Sequence, residues 1–199
     1  MKALLLSLLL LCGPAALAGP KQSAAPAAHA TLPAAPVNDS GSLYQLQVRL
    51  EGGDAKTVAL DTFRGQPVLV SLFYGRCPAA CPMLIAQLKR IEAGLSPEAR
   101  AHTRVLLVSL DPKEDTAQVL AALAQAHRLD PKRWLLARTQ EAKVQELAAV
   151  LGVRYRKLAS GIINHSTVVT LLDRAGNPVA RVDGLKAPLE DFIAKTEGL

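Results

Sequence analysis

The chain has 199 residues, a formal net charge of +6 and only 4% aromatic residues. This length allows one domain of ordinary size, whose core must consist mostly of Leu, Val, Ile and Ala. The basic residues are scattered rather than gathered in one stripe, so we expect no nucleic-acid binding. The densest basic stretch, Arg154 to Lys157, is typical of a solvated strand face, and the net charge favours acidic partner surfaces.

The first eighteen residues have the pattern of a secretory signal peptide. One positive charge at Lys2 precedes the apolar run from Ala3 to Leu11, and small residues follow at Ala16 and Ala18. We expect cleavage after Ala18, loss of Cys12 with the leader, and an extracytoplasmic protein in a bacterial periplasm. Two alternatives stay open. The leader could be kept as a membrane anchor, although its apolar run is about half the ~20 residues that a spanning helix needs, or Cys12 could be acylated.

Residues 19–40 are rich in Ala and Pro and nearly free of charge. Such a composition cannot bury a core and tends to run extended, so this segment is predicted to be a tether. The predicted organisation is therefore a signal peptide at 1–18, a tether at 19–40 and one folded domain at 41–199.

Strands and helices alternate along the folded part. A hairpin is predicted from residues 43–50 and 57–60, because residues 51–54 have turn chemistry. Periodicity and end signals predict further strands at 68–73, 105–110, 134–137, 166–172 and 179–182, and helices at 82–94, 115–128, 140–151 and 188–195. This order predicts an α/β domain with a central mixed sheet flanked by helices and an N-terminal β-hairpin.

Two of the three cysteines, Cys77 and Cys81, stand in the stretch FYGRCPAACPM, directly after the predicted strand 68–73. Open α/β sheets usually carry their sites at such strand ends. Within a helical turn this spacing places the β-carbons about 5–6 Å apart, which suits a reversible disulfide or two sulfurs on one soft metal ion. Cys81 precedes Pro82 near a predicted helix N-terminus, where free amides and the helix dipole favour a thiolate. A permanent stabilising disulfide is the alternative, but so short a loop removes little entropy from the unfolded chain.

Two sulfurs would usually need a further ligand for copper, and imidazole suits copper in both common oxidation states. His29 lies in the tether, and His102 and His127 lie in polar surroundings at element ends. His165 differs, because it stands immediately before a strongly apolar strand. It is the candidate ligand, with a role in loop packing as the alternative.

Four stretches together resemble the Sco/SenC family of thioredoxin-like copper proteins, which serve assembly of the binuclear copper site in cytochrome c oxidase. They are LDTFRGQPVLVSLFYGRCPAACP, VLLVSLDPKEDT, LGVRY and NHSTVVTLLDRAGN. The resemblance implies a thioredoxin-like fold and one copper ion, Cu(I) or Cu(II), bound by Cys77, Cys81 and His165. It implies the copper-bearing oxidase subunit as partner, and other copper chaperones or thiol oxidoreductases as further partners. Asp111 matches a frequent family Asp near the site, although Asp before Pro is also an ordinary turn signal.

The chain departs from the family pattern at Ala79, Ala80 and Asn164, where members often carry acidic residues. Arg76 also stands directly before Cys77. We therefore expect a less negative site than is usual, which hinders retention of a divalent ion more than of a monovalent one.

Two functions follow from these residues. The first is a non-catalytic metallochaperone that delivers copper to the binuclear site of the oxidase by ligand exchange. The alternative is an extracytoplasmic thiol-disulfide oxidoreductase, in which Cys77 attacks a partner disulfide and Cys81 resolves it. His165 discriminates between the two, because a dithiol oxidoreductase does not require it.

Overall fold

The computed structural model describes residues 41–77 and 80–199. The predicted signal peptide and tether, with Cys12 and His29, lie outside these residues. In the ranges described, no helix is both long enough and apolar enough to cross a membrane.

Nine strands are formed within these ranges. They are β1 Arg49–Gly52, β2 Thr57–Ala59, β3 Val68–Phe73, β4 Arg104–Ser109, β5 Trp134–Arg138, β6 Tyr155–Lys157, β7 Ile163–His165, β8 Val168–Leu172 and β9 Pro178–Asp183. The α-helices are α1 Ala80–Gly94, α2 Pro97–His102, α3 Ala117–Ala126, α4 Glu141–Val150 and α5 Glu190–Glu197. Two short 3₁₀ helices occupy Leu43–Leu46 and Leu60–Phe63.

Seven strands form one sheet in the order β2-β1-β5-β4-β3-β8-β9. The β3/β4 and β4/β5 pairs are parallel, and the remaining neighbours are antiparallel. In the part of the chain that the structure describes, β6 and β7 pair only with each other, as a separate two-stranded hairpin. The predicted α/β domain with a central mixed sheet is therefore confirmed.

β3 is buried on both faces, as its unbroken apolar sequence VLVSLF predicts. Its alternate residues divide between two apolar clusters. Val68, Val70 and Leu72 join the cluster that includes residues of α4, whereas Leu69 and Phe73 join the cluster that includes residues of α1, α3 and α5. Helices thus cover both faces of the sheet.

The predicted N-terminal hairpin is confirmed, because β1 and β2 pair with Arg49 opposite Ala59. Its first strand begins later than predicted. Leu43–Leu46 form a 3₁₀ helix, in which the hydroxyl of Ser42 accepts a hydrogen bond from the Tyr44 amide. Both Leu43 and Tyr44 are buried, so the alternation of apolar residues here serves helix packing rather than a strand face.

The site edge of the sheet is set by the parallel pair β3 and β4. Phe73 lies opposite Ser109 in the register, and the Leu110 amide donates to the Phe73 carbonyl at 2.6 Å. The segments that leave the two strands, Tyr74 to Cys77 and Leu110 to Asp111, therefore start side by side at the carboxyl ends of the strands.

Candidate metal centre

The two cysteines lie together at the end of β3. Cys77 is half-buried and Cys81 is buried, and both are reduced. The Tyr74 carbonyl accepts hydrogen bonds from the Cys77 amide at 3.2 Å and from the Cys81 thiol at 3.1 Å, and the two cysteine side chains are close enough to interact electrostatically. The turn into α1 therefore brings the two cysteines together at the Tyr74 carbonyl.

The expectation that the helix N-terminus makes Cys81 a thiolate is wrong for the metal-free protein. Cys81 lies in the first turn of α1, but it is only 6% exposed and belongs to an apolar cluster. Burial disfavours the charged form and raises the pKa of Cys81 to about 12. Metal binding at this sulfur must therefore displace a proton.

Tyr74 joins the cysteine segment to the β6–β7 hairpin. The residue is 5% exposed, and its hydroxyl lies near the Cys77 side chain and the backbone of Ile163. Its ring meets the His165 ring edge-on, with the centroids 5.8 Å apart and the planes at 79°. Burial raises the pKa of Tyr74, so the hydroxyl stays neutral. The sequence reasoning missed this residue, although an aromatic residue directly after a buried strand was a visible signal.

His165 ends β7 and is held as a neutral imidazole. Its Nδ1 lies 3.1 Å from the Ser166 carbonyl oxygen. A carbonyl oxygen only accepts hydrogen bonds, so Nδ1 carries the proton and Nε2 keeps its lone pair. Nε2 makes no hydrogen bond to the part of the chain that the structure describes. Burial lowers the pKa of His165, which favours the neutral form that binds metals.

The cysteine pair and His165 are linked through Tyr74 rather than gathered around one point. Among residues 41–77 and 80–199, no group of three or more His, Cys, Asp or Glu side chains is arranged to hold a metal ion. Binding of a single ion by Cys77, Cys81 and His165 therefore stays a prediction. The donors nonetheless suit a soft ion, since both cysteines hydrogen-bond to the Tyr74 carbonyl and a neutral imidazole packs against the ring of the same tyrosine.

A carboxylate stands beside this pair and faces two cations. Asp111 is 4% exposed, and its oxygens accept hydrogen bonds from Arg76 Nη2 at 3.2 Å and Lys157 Nζ at 3.0 Å. Arg76 also pairs with Glu114 at 3.5 Å. The guanidinium beside Cys77 is thus matched by two carboxylates, which reduces the positive charge that the sequence places at the site. Lys157, expected on a solvated strand face, is half-exposed and belongs to this network.

A second buried carboxylate, Asp115, hydrogen-bonds to the backbone of the cysteine segment. It is 1% exposed, and it accepts hydrogen bonds from the Gly75 amide at 2.8 Å and from the Ser109 hydroxyl. Burial raises the pKa of Asp115. The sequence reasoning assigned this residue only to the start of a helix, which begins two residues later. The only sequence signal for its contact with the cysteine segment was that it lies four residues after Asp111, the other acidic residue expected near the site.

A model of the SCO1/SenC family matches residues 40–199. The SCO1 protein homolog of Bacillus subtilis (strain 168) is 25% identical over 96 residues, which cover 48% of this chain and 49% of that protein. The chain thus spans about half the length of that relative.

Solved structures of similar fold include ScoI of Bradyrhizobium japonicum with copper bound. It has 20% identity and a TM-score of 0.64, covering 76% of this chain and 96% of that one. BsSco, a member of the Sco family of cytochrome c oxidase assembly proteins in which a disulfide switch was identified, has a TM-score of 0.65 at 20% identity, covering 75% and 88%. At these identities the likeness shows the fold alone, and it confirms the thioredoxin-like α/β prediction. Because the family match extends from residue 40 through the cysteine pair and the histidine hairpin to residue 199, the chain belongs to the SCO1/SenC family.

Proposed function

We propose that the protein is a copper metallochaperone that binds one copper ion through Cys77, Cys81 and Nε2 of His165. The observation that carries this proposal is a pair of reduced cysteines held by one Tyr74 carbonyl, beside a neutral imidazole whose Nε2 has no hydrogen-bond partner among the described residues. Thiolates select soft Cu(I), and imidazole extends the site to Cu(II). Family membership and the copper bound to a structural neighbour support the same ion.

Copper is cargo here, and the unequal exposure of the sulfurs gives an order for its transfer. Cys77 is half-buried and can be reached by an incoming ligand, whereas Cys81 is buried. A partner's ligand therefore replaces Cys77 first and Cys81 last. We propose the copper-bearing subunit of cytochrome c oxidase as acceptor, in keeping with the assembly role of the family to which BsSco belongs. Other copper chaperones or thiol oxidoreductases are proposed as further partners.

The location follows from the leader. Residues 1–18 are proposed to direct export, and 19–40 to tether the domain in an extracytoplasmic space, the bacterial periplasm. Both segments lie outside the described residues.

The second candidate function is thiol-disulfide exchange, which the same asymmetry of exposure favours. The Cys77 thiolate would attack a partner disulfide and release one partner thiolate, which takes up a proton. Cys81, on losing its proton, would then displace the second partner sulfur. The partner disulfide is reduced to a dithiol, while Cys77 and Cys81 are oxidised to a disulfide by the same two electrons.

His165→Ala separates the two functions. In reduced full-length protein the variant should keep most of its Cu(I) affinity through the two thiolates, but lose on the order of tenfold or more in Cu(II) affinity. It should also fail to support oxidase maturation in cells. His102→Ala, on the exposed end of α2, is the control and should behave like wild type.

The opposite result supports the other function. If His165→Ala binds both copper ions like wild type and restores full oxidase activity, His165 is a packing residue and the oxidoreductase is the better account. Titration of the oxidised protein gives a further check, because a Cys77–Cys81 disulfide consumes the sulfurs that bind copper and should weaken binding strongly.

A further inference from the structure

The buried carboxylate of Asp111 connects two segments that are distant in sequence. One oxygen lies 3.2 Å from Arg76 Nη2 and the other lies 3.0 Å from Lys157 Nζ. The partners are 35 and 46 residues away along the chain. The Asp111 side chain is 5% exposed, whereas those of Arg76 and Lys157 are 56% and 49% exposed. The two oxygens of the buried Asp111 carboxylate therefore bind residues of two different segments.

These two segments carry the candidate ligands. Arg76 directly precedes Cys77. Lys157 ends β6 and lies opposite Ile163 in the hairpin register, two residues before His165. Asp111 therefore connects the cysteine segment to the hairpin that carries the histidine.

The position of Asp111 is fixed by hydrogen bonds to its backbone amide and carbonyl. Its amide donates to the Ser109 hydroxyl at 2.9 Å, and its carbonyl accepts from the amides of Glu114 at 3.0 Å and Asp115 at 2.9 Å. Among the described residues, the β6–β7 hairpin has no strand pairing with the seven-stranded sheet. Apart from the two-residue link between β7 and β8, its position depends on side-chain contacts, which include the buried Ile163 and the Asp111–Lys157 ion pair.

We propose that Asp111 is a positioning residue for copper: it holds the β6–β7 hairpin against the cysteine segment and so determines whether His165 can join Cys77 and Cys81 on one ion. The inference rests on the proposed function. Its consequence is selective, because Cu(II) needs the imidazole whereas Cu(I) is satisfied by two thiolates. Direct ligation by Asp111 is disfavoured, since both oxygens already face cations.

Lys157→Met separates positioning from electrostatics. Removal of a positive charge near the site should strengthen binding of a divalent cation if charge alone matters. If the ion pair positions the hairpin, the same change should weaken Cu(II) binding. Lys157 is half-exposed, so this variant should fold even if Asp111→Asn does not.

The experiment compares Asp111→Asn, Lys157→Met and His165→Ala in reduced full-length protein, with Cu(I) and Cu(II) titrated separately. We expect Asp111→Asn and Lys157→Met to lose on the order of tenfold in Cu(II) affinity, the low end for groups that orient a metal ligand. The nitrogen hyperfine splitting in the Cu(II) electron paramagnetic resonance spectrum should weaken, and Cu(I) affinity should stay close to wild type. Glu114→Gln, which removes a negative charge beside Arg76 without touching the hairpin, is the charge control: it should weaken Cu(II) binding less than either hairpin variant and leave the nitrogen splitting unchanged.

A double variant completes the test. Adding Asp111→Asn to His165→Ala should cause no further loss of Cu(II) affinity, because both changes remove the same ligand. Full additivity, or wild-type Cu(II) affinity and nitrogen splitting in Lys157→Met, would overturn the positioning role. Wild-type Cu(II) binding by His165→Ala itself would instead overturn the proposed three-ligand site, so the two failures are distinguishable.

Discussion

Cys77 and Cys81 have unequal surroundings although only three residues separate them. Cys77 is half-buried, while the Cys81 thiol is buried and donates a hydrogen bond to the Tyr74 carbonyl. Burial raises the pKa of Cys81 to about 12. Since the thiolate is the reactive form, Cys81 should be a poor nucleophile in the folded, metal-free protein.

Alkylation tests this asymmetry. In reduced, metal-free protein at pH 8, iodoacetamide should modify Cys77 at least about ten times faster than Cys81, because Cys81 is both buried and protonated. Peptide mass mapping at timed intervals measures the two rates. In guanidinium chloride the rates should converge, which is the control for intrinsic reactivity. Faster modification of Cys81 than of Cys77 in the native protein would contradict the assignment.

The positions of these residues could be predicted from sequence, but the charge of Cys81 could not. A helix N-terminus favours a thiolate through local groups, and local groups can be recognised in the sequence. The burial that outweighs it depends on residues far along the chain. The apolar cluster that contains Cys81 also includes Val182 of β9 and Phe192 of α5, and no local pattern reveals that these three residues belong together.

At the scale of elements, strongly periodic segments were predictable and weakly patterned ones were not. β3 extends over the predicted residues 68–73, because a short unbroken apolar run between turn residues is typical of a strand buried on both faces. α2 was missed despite its Ser96 cap and Pro97, a signal that the sequence did carry. Arg154 to Lys157 was expected to be a solvated strand face, which agrees with β6, but β7 and its pairing with β6 were missed, because these short strands are largely exposed and lack an apolar face. That hairpin carries His165, which the sequence singled out only by its place before the apolar strand β8, so its nearness to the cysteine segment could be expected only through the family resemblance.

The turn between β3 and α1 depends on close packing at Gly75. A β-carbon added there would lie 2.5 Å from Asp115 Oδ1 and 3.1 Å from Leu123 Cδ1. The Gly75 amide also donates to Asp115 at 2.8 Å. The carboxylate cannot retreat freely, because it also accepts from the Ser109 hydroxyl in a buried position.

Gly75→Ala should therefore destabilise the domain by about 1–3 kcal/mol, the usual cost of overpacking a buried site. Urea unfolding of the reduced protein measures the change. Gly198→Ala is the control, because its β-carbon would meet nothing closer than Ala194 O at 3.7 Å. Equal stabilities of Gly75→Ala and wild type would show that the cysteine segment relaxes without cost.

At the scale of the whole molecule, one buried carboxylate connects α1 to the sheet. Glu92 on α1 is 7% exposed. It accepts a hydrogen bond from the Trp134 indole of β5 at 2.8 Å and pairs with Arg133 at 3.4 Å. Burial raises the pKa of Glu92 above its ordinary value, and this effect outweighs the opposing contributions of Trp134 and Arg133. The folded state thus holds the proton of Glu92 more tightly than the unfolded chain does.

This linkage fixes the sign of a pH dependence. The stability contributed by protonated Glu92 is fully present below the ordinary pKa of 4.5 and is lost as the pH rises through the raised folded-state value. Glu92→Gln keeps an acceptor for the Trp134 indole but cannot ionise. The unfolding free energy of wild type minus that of this variant should therefore fall as the pH rises from 4 to 7, measured by urea unfolding of reduced protein. A wild-type advantage that grows with pH would mean that ionised Glu92 stabilises the fold through Arg133.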